Sequence, residues 1–176
     1  MIPKLNAMKL LSSILTVSVI LFTFAVNAQD FQVPETQPST KDEFVRSEKD
    51  FIAAAKWLET TPLGKENATR KKINAWIIVW ITNSPTVTET VYSGIIKPFD
   101  KNSDLLGVFM AGYARYILEN NYDGDAFKGN LAGIRSVVNC VNLGGDIKKD
   151  KNLTKLMDAD KDGKLEDWVK EMMKEK

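Results

Sequence analysis

The chain has 176 residues, 24 Lys and Arg against 23 Asp and Glu, one cysteine and no histidine. Without an imidazole there is no Ser–His or Cys–His nucleophile and no histidine-ligated zinc site. With one thiol there is no internal disulfide, so packing must supply the stability. A net charge of +1 gives no general attraction to nucleic acid or an anionic membrane.

Residues 1–28 read as a secretory signal peptide, cleaved before Gln29. Lys4 and Lys9 make a positive start, Leu10 to Val26 is almost wholly apolar, and Val26-Asn27-Ala28 presents small residues to a peptidase. Ser12, Ser13, Thr16, Ser18 and Thr23 dilute the apolar run, which at roughly 17 residues is short for a bilayer span. Loss of Lys4 and Lys9 takes the net charge from +1 to −1. The expectation is an exported protein, periplasmic or secreted, with no membrane or nucleic-acid partner after cleavage. The Asn27-Ala28-Gln29 junction ahead of a helical body resembles small exported proteins of Gram-negative bacteria, and that likeness transfers no functional residue.

Residues 29–40 contain two prolines and little periodicity and are expected to form a flexible lead-in. Residues 41–176 are expected to form a single all-helical domain. Ser39 and Thr40, each followed three residues later by Asp42 or Glu43, offer a capping box. Phe44, Val45, Phe51, Ile52, Ala55 and Leu58 then recur at helical spacings. Pro62 and Gly64 end that helix. A second helix is predicted from Asn67 to Thr82. Its Ala75–Ile81 section is apolar all round and has strand propensity, but it has no partner run, so it is placed as a helix at the centre of a bundle. Arg70-Lys71-Lys72 reads as a solvated face.

Asn83-Ser84-Pro85 breaks the chain, and a loop leads into a short helix through Val91, Tyr92, Ile95 and Ile96 that Pro98 stops. Asn102 or Ser103 caps the next helix, whose apolar face runs from Leu105 through Phe109, Tyr113 and Ile117. After a turn at 120–124, a helix spans roughly Asp125–Asn142 until Gly144-Gly145 releases it. Gly107 with Ala111, and Gly129 with Gly133, place small residues four apart, which predicts a close antiparallel hairpin. Cys140 sits among valines and is expected to be a buried, inert thiol. Residues 148–176 form a charged helix–loop–helix. The fold class is all-α, a compact bundle of about five to seven helices built from antiparallel pairs.

Asp158-Ala-Asp-Lys-Asp-Gly-Lys-Leu-Glu166 resembles the first nine positions of an EF-hand loop. The resemblance implies a Ca2+ site formed by Asp158, Asp160, Asp162, the backbone carbonyl of Lys164, and Glu166, with Gly163 at the sharp turn. The chain departs from the pattern at the twelfth position, where Val169 replaces the bidentate glutamate, and it holds one copy only. The alternative is an acidic connector, since aspartates cap helices and Asp-Gly makes turns without metal. Trp76 and Trp80 read as core in preference to a sugar-stacking platform. Glu119 and Asp123 offer a carboxylate pair for glycoside hydrolysis. No phosphate-binding loop is present.

The leading expectation is an exported, non-enzymatic helical domain that binds a protein or envelope component. A calcium-stabilised module is the alternative, and a carboxylate-dependent glycan hydrolase comes third.

Overall fold

The computed structural model describes residues 31–175; the expected signal peptide lies outside them. Seven α-helices account for most of the described chain, and no strand forms among those residues. α1 (Lys41–Thr60) starts at the expected capping box. Thr40 Oγ1 accepts from the Glu43 N–H, and Glu43 Oε2 accepts from the N–H groups of Thr40 and Ser39. Upstream, Gln37 Nε2 donates to the Trp76 carbonyl and Trp76 Nε1 to the Thr36 carbonyl, which ties this segment to the second helix.

α2 (Asn67–Asn83) packs Ile73, Trp76, Ile77 and Trp80 inward. Phe44 and Phe51 of α1 lie against the two indoles, with the Phe51 and Trp80 centroids 4.4 Å apart. Both tryptophans are core, as read. The central place expected for α2 belongs to another helix, because Ile78 and Val79 stand 46% and 40% exposed. The centre is α4 (Asp104–Glu119), which packs against α1, α2 and α5 (Ala126–Asn142). Gly107, Ala111, Gly112 and Ala114 leave α4 thin enough for three neighbours to close on it.

The α4–α5 hairpin forms as predicted, through a partly different set of small residues. Tyr113 and Phe109 of α4 fill the notches left by Gly129 and Gly133 of α5, and Gly112 faces Ser136. Gly107 points instead at α2, where an added Cβ would fall 2.4 Å from Asn74 Oδ1. Between α2 and α4 lie α3 (Ser93–Ile96) and a 3-10 turn, Lys97–Phe99. α3 ends ahead of Pro98, as read, and the chain winds on as the 3-10 turn instead of entering a loop. Pro98 sits at the start of that turn, where the missing N–H has no partner to lose.

Arg70 departs from the solvated reading of its basic cluster. Lys71 and Lys72 are exposed, whereas Arg70 is 1% exposed. Its guanidinium donates to the carbonyls of Leu58 and Thr61 and lies over the Trp57 ring. α1 has no basic residue in its last turn, so Arg70 supplies from α2 both the donors and the positive charge that a helix C-terminus favours.

Two chain-distant clasps hold the connector after α5. Leu63 and Gly145 form an isolated parallel bridge, with the Asp146 N–H on the Leu63 carbonyl at 2.9 Å. A side chain on Gly145, whose φ is +107°, would collide with that carbonyl. The Asn102 side chain is buried, donates to the Lys148 carbonyl at 3.0 Å and accepts from the Lys148 N–H at 2.8 Å. The terminal pair follows as α6 (Lys151–Lys161) and α7 (Leu165–Met172), anchored by Leu153, Leu156, Leu165 and Val169.

Candidate functional site

α6 continues through Asp158 and Asp160 to Lys161, so the acidic stretch is helix for its first four residues. Asp162 is the C-cap, and Gly163, at φ +70°, takes the left-handed position. The Gly163 N–H bonds the Asp160 carbonyl at 2.9 Å and the Lys164 N–H bonds the Ala159 carbonyl at 2.8 Å. These two bonds are the Schellman pair that closes an α-helix. The glycine that aligns with the sharp turn of a calcium loop here ends α6.

This geometry spreads the predicted ligands. On a helix, residues two apart project about 200° from each other, so the Asp158 and Asp160 carboxylates leave α6 on opposite sides. Asp160 and Glu166 share an open groove with Arg135, Asn139 and Asp167, and Asp158 and Asp162 do not line it. Glu166 lies on the first turn of α7 and pairs with Arg135 at 3.1 Å. Lys164 reaches Asp162 at 3.9 Å. Among the described residues, no group of three or more Asp, Glu, Cys or His is placed to hold a metal ion.

The carboxylates considered for hydrolysis are engaged elsewhere. Glu119 pairs with Lys56 at 3.1 Å and with Arg115 at 3.7 Å. Asp123 accepts from the Tyr116 hydroxyl and from Lys128 Nζ, and these bonds hold its pKa down at about 2. An acid held that firmly ionised has no proton to give a leaving group. Glu59 joins three helices, accepting from Arg115 Nη1 at 2.8 Å, Ser136 Oγ at 3.0 Å and Asn139 Nδ2 at 2.7 Å. Cys140 is buried, and that burial pushes its thiol pKa up, away from the reactive thiolate.

A groove of about 230 Å³, which no sequence motif marks, lies between α3, the 3-10 turn, α6 and α7. Pro98, Trp168 and Met172 supply apolar lining, with Lys97, Lys155, Asn152 and Glu175 around them. Gly94 brings its backbone against the Met172 carbonyl, where a Cβ would stand 2.5 Å away. Lys97 pairs with Glu175 across the groove. The usable signal was periodicity. Leu165, Val169 and Met172 mark the inward stripe of α7, and Trp168 lies one residue off it, half-buried. No protein-family model, no curated protein and no solved structure matches the chain.

Proposed function

We propose that this is an exported helical binding domain without catalytic chemistry of its own, which docks a protein or envelope component in the groove beside Trp168. The observation that supports the reading is the composition and size of that groove. An aromatic side chain, a methionine and a proline flanked by a few charged groups make a lining suited to an inserted side chain. About 230 Å³ is less than the roughly 300–1,000 Å³ typical of a cofactor or drug-sized ligand, so the groove suits one anchoring side chain of a larger partner. Lys155, which lines the groove beside the Lys97–Glu175 pair, favours a partner that sets an acidic group next to that anchor. The engagement of Glu59, Glu119 and Asp123 in ion pairs agrees with a non-enzymatic role.

The test is photo-crosslinking in the cell envelope with a reactive residue at Asn152, on the groove, and a control at Lys72, on the outer face of α2. The expected result is one discrete adduct from position 152, absent from position 72 and lost with Trp168→Ala. The same adduct from both positions, or one indifferent to Trp168→Ala, would overturn the reading.

A further inference from the structure

The segment 84–92, which carries the chain from α2 to α3, is pinned along its backbone. Ser84 Oγ accepts from the N–H groups of Thr86 and Val87 at 3.3 and 3.2 Å, and Val87 is buried. The Thr90 peptide is gripped from both helices of the α4–α5 hairpin. Its N–H donates to the Tyr113 hydroxyl oxygen at 3.3 Å, and its carbonyl accepts from Asn130 Nδ2 at 2.9 Å. Tyr113 is itself fixed, 1% exposed, with its ring in the notch at Gly129.

Beside this grip, both carboxylate oxygens of Glu89 are buried and neither has a hydrogen-bond partner. Asn130 Oδ1, on a residue with no exposed surface, is also unpartnered, and Nδ2 of the same amide is taken up by the Thr90 and Ala126 carbonyls. Three buried acceptors thus lack a donor. Such surroundings tolerate a neutral carboxylic acid far better than a carboxylate.

The charged and titratable neighbours do not offset this. Around the neighbouring Tyr113 hydroxyl stand Glu89 and Tyr92 from the segment and Asp125 from the start of α5, none of them a cation. Burial raises the Glu89 pKa from 4.5 to about 8, and it raises that of Tyr113.

The geometry points to Glu89 as a proton-held latch. Neutral, it lets the 84–92 segment lie against α4 and α5; ionised, it drives the segment away from them. The closed form binds the proton more tightly than an open form in which Glu89 meets water. The closed form's advantage is therefore complete below pH 4.5, declines as pH rises from 4.5 to about 8, and is flat beyond. Within that window the opening constant grows up to about ten-fold per pH unit.

Hydrogen exchange read by mass spectrometry between pH 5 and pH 8, corrected for intrinsic exchange rates, tests the latch on the purified protein. Amides in 84–92 are expected to lose protection at least about ten-fold across this range, while α4 and α5 keep theirs. Glu89→Gln, neutral at every pH and close in shape, is expected to abolish the dependence. Equal pH dependence in both proteins, or a loss spread evenly over α4 and α5, would overturn the proposal. A carbon-13 titration of the Glu89 carboxyl in the wild-type protein gives a second measurement that needs no variant. A midpoint near 8 supports the latch, and one in the ordinary carboxylate range overturns it.

Discussion

Gly112 of α4 and Ser136 of α5 meet so closely that a methyl group on Gly112 would stand 2.3 Å from the Ser136 hydroxyl. The serine is not free to swing aside, because its hydroxyl donates to Glu59 of α1. Gly112→Ala is therefore expected to destabilise the fold by about 1–3 kcal/mol through overpacking, despite alanine's better helix propensity. Ser136→Gly in the same chain should return part of that loss. Denaturant melts of the two single variants and the double variant measure the coupling, and simple additivity would show that the two residues do not clash.

Arg70→Met keeps an unbranched stem over Trp57 and removes every donor. With the Leu58 and Thr61 carbonyls left short of partners, the expected cost is about 2–3 kcal/mol. Arg70→Lys should recover only part of it, since an ammonium does not reproduce a planar fork that reaches two carbonyls. Chemical denaturation of the pair checks this. A loss of less than about 0.5 kcal/mol for the methionine variant, the range of ordinary surface changes, would place the arginine outside the stabilising set.

Asp123 ties the α4–α5 turn through Tyr116 and Lys128. The Tyr116 hydroxyl, then Lys128, then the Asp125 N–H depress its pKa from 3.8 to about 2. A depressed carboxylate adds stability above its unfolded pKa and loses it as pH falls through the folded value. The stability gap between wild type and Asp123→Asn should thus be constant above pH 4 and shrink between about 3.8 and 2. Thermal melts across that range read the gap directly, and a gap that does not narrow would remove Asp123 from the acid response.

In this structure Schellman bonds close the last turn of α6, so calcium binding at Asp158, Asp160, Asp162, Lys164 and Glu166 is expected to need that turn to rearrange. Titration with millimolar calcium is expected to leave both the far-ultraviolet circular dichroism and the melting midpoint unchanged. A calcium-dependent rise in midpoint that Asp160→Ala removes would establish the site.

Helices and caps were legible in the sequence where a local rule decided them. Thr40 with Glu43, the α2 run and the small residues of α5 each carry their own signal. What escaped was decided by partners distant in the chain. Arg70 looks like one of three surface cations, and only the Leu58 and Thr61 carbonyls make it a buried one. Gly107 has the spacing of a hairpin residue, yet α2 approaches it first. Asp158 to Glu166 satisfies a spacing rule for oxygen ligands and also the composition of a helix stop; the helical bonds of α6 run through it. Glu89 lies among threonines and valines, and nothing local marks a carboxyl that turns inward.

The Asn102–Lys148 clasp bears on how the chain reaches this fold. It joins residues 46 apart, and the interval between them holds the whole α4–α5 hairpin. Closing a flexible loop of that length is entropically slow to begin, but a hairpin formed first through its short turn brings the two ends near each other. That order makes the clasp a late-forming contact, and Asn102→Ala is then expected to speed unfolding while leaving the folding rate nearly unchanged, which stopped-flow folding and unfolding rates check. A contact made after the barrier slows unfolding without changing the folding rate, so on this order Asn102 would act as a brake on the release of the C-terminal helices.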